Sequence, residues 1–285
     1  LIRGFLINRF RGDPSLFADG SRIIAERTGW SALGIVPWFA DIHRLPAEDS
    51  QDLQAGARDR EAVGGGIKIV VPLLPRISNH DDLDPLTMSP GVSLTLLPRG
   101  QPLPADVDLV VLPGSKSTIS DLAALRQEGW DIDILAHARR GGRVLGLCGG
   151  YQMLGRMIGD PDGVEGPPGE VAGLGLLDVE TVLTASKRLE AVSGRHLASG
   201  LAVSGYEMHM GCTEGADCRR PLLDLAGTAD GAMSANGRIA GTYLHGLFGA
   251  DAFRHAFLRQ LGSAAAAGDS YDAVVEAALD ALAAH

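Results

Sequence analysis

Apolar residues recur along this chain in two rhythms. Ile67 to Val71, Val92 to Leu97, Leu109 to Leu112 and Arg143 to Leu147 are short, nearly unbroken apolar runs with the length of buried strands. Between them, near Asp81 to Thr87, Thr118 to Glu128 and Asp131 to Arg140, the spacing is helical. Tyr151 to Ile158 also has helical spacing and stops at Gly159 and Pro161. This alternation predicts an α/β fold with a mostly parallel sheet flanked by helices. Past Pro161 the helices thin out, and Leu176 to Leu183, Leu201 to His209 and Arg238 to Leu244 read as strands, partly antiparallel. Ala252 to Leu261 and Tyr271 to Ala284 close the chain as helices, the last one apolar along Val274, Val275, Ala278, Leu279 and Leu282.

A separate strand-helix-strand pattern opens the chain, over Arg3 to Asn8, Pro14 to Gly29 and Leu33 to Val36. One β-α-β unit cannot cover both faces of its own sheet. Residues 1–45 therefore read as a piece of a different domain. Pro46 to Gly66 is polar, lacks aromatics and finishes in three glycines, the composition of a linker. The expected organisation is 1–45, a linker at 46–66, a main domain at 67–262, and a C-terminal helix in 263–285 packed on that domain.

Composition narrows the function classes. Apolar residues make up 45% of 285 positions, enough for a large core. A net charge of −10, with 25 Lys and Arg scattered singly or in pairs, argues against a nucleic-acid surface. No apolar run reaches the roughly 18 residues of a membrane helix, and no secretory signal pattern is read. Of three cysteines, Cys212 and Cys218 lie six apart with no Cys-His cluster, so no metal site is expected. The expectation is a cytoplasmic enzyme without nucleic-acid or membrane partners.

The chemistry concentrates at Gly146-Leu147-Cys148-Gly149-Gly150-Tyr151-Gln152. A cysteine between a buried strand and a helix, among small residues, describes a nucleophile elbow. The helix N-terminus favours thiolate over thiol; the competing reading is a structural cysteine in a glycine-rich turn. Such a nucleophile needs a base, distant in sequence and near in space. His245, at the end of the strand Arg238 to Leu244 and before Gly246, is the best placed of eight histidines.

These segments carry a resemblance. Gly146 to Gln152 resembles the nucleophile motif of the class I glutamine amidotransferases, and Gly241 to Phe248 the histidine motif of their cobyrinate-amidating branch. Within that branch, Pro75 to Asn79 with Asp84-Pro85-Leu86, Leu112 to Thr118 and Gly205 to Gly211 resemble cobyric acid synthases. Ile7 to Asp13 extends the match, in the same order, nearly to the start of the chain.

The resemblance implies a class I glutamine amidotransferase-like α/β domain, preceded by a fragment of a P-loop synthetase-like domain. It implies that Cys148 attacks the glutamine side-chain amide while His245 handles the protons. Gly149 and the loop with Gly114 and Ser115 would supply oxyanion or substrate contacts, and Gln152 would bind the amino-acid end of glutamine. Most class I members place a Glu two residues after the histidine, where this chain has Leu247. Either a Cys–His dyad operates or another acid, with Glu207 the candidate, orients the ring.

In the synthetase fragment, Asn8 is a candidate adenine contact, with strand-end capping as the alternative. No GxxxxGK[ST] phosphate loop occurs in the sequence, so no cofactor is expected in this chain, and ATP and Mg²⁺ belong to the complete enzyme. The implied reaction is glutamine-dependent amidation of corrinoid carboxylates b, d, e and g of adenosylcobyrinate a,c-diamide. The implied partners are glutamine, the corrinoid and a missing N-terminal synthetase portion in the same or a separate chain. A related ligase of the branch (an a,c-diamide synthase or a cell-wall lipid amidotransferase), an inactive truncated partner subunit and, last, a cysteine hydrolase are the rival readings.

Overall fold

The computed structural model describes residues 1–45, 66–263 and 268–284. The expected linker thus lies, apart from Gly66, outside the described residues. The chain divides into two compact units, Leu1–Pro46 with Asp272–His285, and Ala47–Tyr271. In the first, β1 (Gly4–Phe10) pairs in parallel with β2 (Ser31–Pro37), and α1 (Ala18–Thr28) connects them. α1 stops at Gly29, whose left-handed φ of 71° closes the helix on Ala25 O.

In the second unit, the sequence runs β3 (Ile67–Pro72), β4 (Ile77–Ser78), α2 (Asp84–Thr87), β5 (Val92–Leu97), β6 (Leu109–Leu112) and β7 (Gly114–Ser115). It continues through α3 (Thr118–Gln127), α4 (Trp130–Arg139), β8 (Arg143–Leu147) and α5 (Gly149–Leu154). β9 (Met157–Asp160), β10 (Gly169–Ala172), the long ribbon β11 (Val179–His196) and β12 (Ala202–Gly215), then β13 (Leu223–Leu225) and β14 (Thr228–Asp230) follow. β15 (Ala232–Met233), β16 (Ile239–Thr242), β17 (Leu244–His245) and α6 (Asp251–Gln260) complete it. The closing helix α7 (Tyr271–Ala284) has its residues from Asp272 onward in the first unit, whereas the sequence reading assigned it to the second.

The central sheet has the order β15-β16-β8-β6-β3-β5, parallel except for the β15 edge. Its strands are apolar on both faces because both faces are covered. Val70, Val110, Leu112 and Val144 join the cluster of Leu122, Leu125, Trp130 and Met153, from α3, α4 and α5. Ile69, Leu109, Val111 and Leu145 turn the other way, to Leu86, Phe253 and Leu258 of α2 and α6.

The expected helix Tyr151 to Ile158 is corrected. α5 ends at Leu154, Gly155 is extended, and Met157–Asp160 is a strand between β10 and β11. The apolar spacing of Met153, Leu154 and Ile158 serves burial in one cluster from two different elements. A second sheet, β10-β9-β11-β12-β17, is antiparallel except for the β9–β11 pair, with β13 attached to β11 and β14 to β13.

Candidate active site

β8 and β16 are neighbours, with Leu147 opposite Thr242. The residues that follow them, Cys148 and His245, therefore emerge at the same carboxyl edge of the sheet, where open α/β sheets hold ligands. Cys148 has φ 51° and ψ −110°, strained for a residue with a Cβ. Its backbone is pinned from both sides: Cys148 N–H donates to Thr242 O at 2.9 Å, and Gln152 N–H donates to Cys148 O at 3.1 Å. The strain thus sits on Cys148, and the glycines around it serve another purpose. A Cβ on Gly150 would lie 2.1 Å from Leu112 O, so only glycine lets α5 press against the end of β6. Cys148 is buried, and its thiol donates to Met208 O of β12 at 3.4 Å.

His245 reaches the site because the chain changes sheets between β16 and β17. Asp230 anchors this step, accepting from the Thr242 hydroxyl and, at 3.3 Å, from Tyr243 N–H; Thr242 Oγ1 then accepts from Leu244 N–H at 3.0 Å. β17 pairs with β12, Tyr206 opposite His245, and a Cβ on Gly205 would fall 1.8 Å from His245 O. The His245 ring is 1% exposed. Its Nδ1 lies 2.7 Å from Asp82 Oδ2, while Gly246 N–H donates to Asp82 Oδ1 at 2.6 Å. Tyr206 stacks on the ring, with centroids 5.1 Å apart and planes at 20°.

Burial alone would lower the His245 pKa. The hydrogen bond to Asp82, the interaction with the Cys148 thiol and the charges of both outweigh burial and raise it to about 10. The Asp82 carboxylate thus favours the protonated ring. Its Nε2 has no hydrogen-bond partner among the described residues, which leaves that nitrogen for the thiol and the reacting atoms.

The Pro113-Gly114-Ser115 loop packs against both groups. A Cβ on Gly114 would sit 3.4 Å from His245 Cε1, and one on Gly149 would sit 3.1 Å from Ser115 N. The two candidate donors in this loop are not equivalent. β7 pairs antiparallel with β4, Ser78 opposite Gly114 and Ile77 opposite Ser115, and Lys116 N–H donates to Arg76 O. In such a ladder, bonded and non-bonded pairs alternate. Gly114 N–H is therefore turned to Ser78 O, and Ser115 N–H faces the opposite side, toward Gly149. The loop is fixed by Asp121 of α3: Oδ2 accepts from Ser115 Oγ at 2.6 Å and Oδ1 from Arg76 N–H at 3.0 Å. Asp121 was not singled out in the sequence, where it reads as an acidic residue in a helix's first turn.

Gln152 is brought to the site but its amide is already engaged. Its Oε1 accepts from Thr118 Oγ1 at 2.9 Å, and its Nε2 donates to Met210 O at 3.0 Å and to Tyr243 Oη at 3.2 Å. Both N–H groups are used, so Gln152 ties α5 to α3, β12 and the sheet-switching segment, and has no donor for the substrate. Glu207 does not hold the His245 ring. Side chains alternate along β12, and with Tyr206 on His245, Glu207 points to the other face. There it pairs with Arg188 at 2.9 Å and approaches His209 Nε2 at 4.0 Å.

His209 stacks on Tyr243 at 3.8 Å, and burial, followed by repulsion from Arg188, lowers its pKa to about 4. It is a neutral ring away from the Asp82 clamp. Asn8, in the first unit, lies within β1 and accepts from Arg9 N–H on its own Oδ1 at 2.8 Å. Among the described residues, no group of three His, Cys, Asp or Glu side chains is arranged to hold a metal ion. No described helix is long and apolar enough to cross a membrane.

Residues 68–253 match the CobB/CobQ-like glutamine amidotransferase domain family. Over 285 residues the chain is 60% identical to the cobyric acid synthase of Rhodobacter capsulatus, covering all of this chain and 58% of that protein. It is 59% identical to the cobyric acid synthase of Methylobacterium nodulans over 286 residues, again covering all of this chain and 58% of the relative. The chain thus spans somewhat more than half the length of these curated relatives. Among solved structures, a chain of PurLQS from Thermotoga maritima superimposes with a TM-score of 0.50 at 17% identity, over 76% of this chain and 100% of that one. That likeness bears on the fold alone, a class I glutamine amidotransferase-like α/β fold.

Proposed function

The chain belongs to the CobB/CobQ-like glutamine amidotransferase family, and from that premise we propose that it generates ammonia from glutamine for a cobyric acid synthase. The observation that carries this reading is a strained, buried Cys148 at the carboxyl end of β8, with His245, three residues past the neighbouring strand β16, clamped at the same edge by Asp82.

The chemistry follows from the arrangement. Cys148 Sγ, as thiolate, attacks the carbonyl carbon of the glutamine side-chain amide. The oxyanion that forms meets two backbone donors, Gly149 N–H and Ser115 N–H, which are fixed before substrate arrives. His245 Nε2–H gives its proton to the amide nitrogen, the C–N bond breaks, and ammonia leaves a glutamyl thioester. Nε2, now unprotonated, takes a proton from water as the water oxygen attacks the thioester carbonyl. Collapse of that second intermediate releases glutamate and returns thiolate and imidazolium.

Transfer of the ammonia to corrinoid carboxylates, the b, d, e and g positions of adenosylcobyrinate a,c-diamide, is proposed from the relatives, which are cobyric acid synthases. ATP and Mg²⁺ are assigned to the region of those relatives that this chain does not span, and Asn8 is kept as an adenine-side residue of the complete enzyme only.

Replacement of Cys148 by Ala is the test. Glutamine hydrolysis should vanish, as it should on treatment with a glutamine-analogue alkylator, and the full-length enzyme should still amidate from added ammonia. Persistent hydrolysis in the variant would remove Cys148 from the chemistry. Loss of the ammonia-dependent reaction as well would make its role structural.

A further inference from the structure

Leu247 occupies the place where most class I glutaminases carry an acid. It is 2% exposed and lies in an apolar cluster with Phe248 and Phe253. No carboxylate can act on the ring from there. The ring is nevertheless held by one, 163 residues earlier in the chain. Asp82 sits in the 3-10 turn His80–Leu83, which the left-handed Asn79 (φ 52°) throws over the end of the sheet.

We propose that Asp82 is the positioning residue of this site and completes a Cys148–His245–Asp82 triad whose acid comes from a different segment than in other class I glutaminases. This rests on the glutaminase reading. Asp82 grips twice: Oδ2 takes Nδ1–H of the ring and Oδ1 takes the N–H of the next residue, Gly246. Two bonds from one rigid carboxylate fix both the ring's rotation and its backbone. With the Nδ1 proton committed, Nε2 is the nitrogen left for sulfur and leaving group. The same turn acts a second time, because Asn79 Nδ2 donates to Tyr206 Oη at 2.6 Å and Tyr206 stacks on the ring. Residues 79–82 therefore brace His245 through its edge and through its face. Asp82 and His245 are both under 5% exposed, so water does not compete for the contact.

The groups that act on His245 are Asp82 and Asp81 from the turn, Cys148 from the elbow and His209 from β12. Asp82 is the one that holds Nδ1, at 2.7 Å.

The test joins Asp82→Asn to two controls, Glu207→Gln and Cys148→Ala. Asparagine keeps the shape but turns a neutral amide to Nδ1. Glutaminase kcat should fall by roughly 10²–10⁴-fold with little change in KM. Alkylation of Cys148 by neutral iodoacetamide should lose its reactivity at low pH, which depends on the imidazolium partner. Glu207→Gln should leave both readouts near wild type.

Wild-type kcat and alkylation profile in Asp82→Asn would overturn the proposal, and the loss appearing in Glu207→Gln instead would give the role to that residue. Hydrolysis surviving in Cys148→Ala would sink the glutaminase reading itself, a separate outcome. Should Asp82→Asn fail to fold, the wild-type protein decides: a strongly downfield Nδ1 proton resonance, assigned by ring-¹⁵N labelling, must be present and must titrate with His245. Its absence overturns the clamp.

Discussion

Two parallel β-α-β arrangements in this chain are treated very differently by their surroundings. β1, α1 and β2 form a two-stranded sheet in which Leu6 and Leu33 are 51% and 70% exposed, and no described side chain of residues 1–45 is buried. β6, α3, α4 and β8 sit inside a six-stranded sheet where Val110, Val111 and Leu112 are 0% exposed. Strand apolarity is not what separates them, since GFLINRF and SALGIVP are respectable strand sequences. Sheet width is. A strand flanked by two others, with helices on both faces, loses its water; a strand pair with one helix cannot. Cys148 follows a strand of the wide sheet, where a strained turn persists because its surroundings over-determine it.

Hydrogen exchange gives the widest test of this contrast. Amides of β3, β6 and β8 should exchange only on global unfolding, and those of β1 and β2 through local opening at least about 10³-fold faster. Equal protection would mean that the first unit has a core of its own.

Side-chain truncation comes next. Leu112→Ala should cost about 2–5 kcal/mol in denaturant unfolding, against under about 0.5 kcal/mol for Leu33→Ala. A comparable loss at Leu33 would show that its exposed face is covered in solution.

Much of this was legible in the sequence, and the failures share one cause. The central strands, the elbow and His245 announce themselves through local pattern: short apolar runs, glycines at a strand-to-helix step, a histidine at a strand end. Asp82 does not. Its place on His245 depends on the two-residue pairing of β4 with β7 and on the sheet order that brings β17 alongside β12. Neither leaves a periodic signal, and Asp81-Asp82 reads locally as an acidic helix start. Gln152 shows the same limit: its position in the motif is visible, its three bonded partners from distant segments are not. The helix expected through Ile158 broke at Gly155 because β9 is needed beside β11, a nonlocal demand.

A pH titration of stability sharpens the contrast through ionisable groups. His245 has a folded pKa near 10 against an ordinary value near 6.5. A raised histidine stabilises fully below about 6.5 and loses that contribution as pH rises through about 10. Melting temperature should therefore decline across this window in wild type, and less steeply in Asp82→Asn. The first unit's ion pairs, such as Arg22 with Glu26 at 2.8 Å and both 59% exposed, are screened by water. Arg22→Ala should leave the profile unchanged. An unchanged slope in Asp82→Asn would mean that the buried pair does not govern it.

The smallest effect is expected at Asp84, beside the clamp. Burial first, then the Asp81 and Asp82 carboxylates, hold its pKa up at about 7. An acid raised in the fold favours folding at low pH, and that advantage is lost as pH climbs from about 4 through about 7. Ionised Asp84 is thus a burden on the turn that carries Asp82, tolerated beside a site that needs one carboxylate charged. Asp84→Asn removes the burden: its melting temperature should match wild type near pH 4 and exceed it at pH 8. A variant less stable than wild type at pH 8 would show that ionised Asp84 has a stabilising partner. The acidic turn would then be balanced by charge, as the exposed pairs of the first unit are, and not held under strain by the fold.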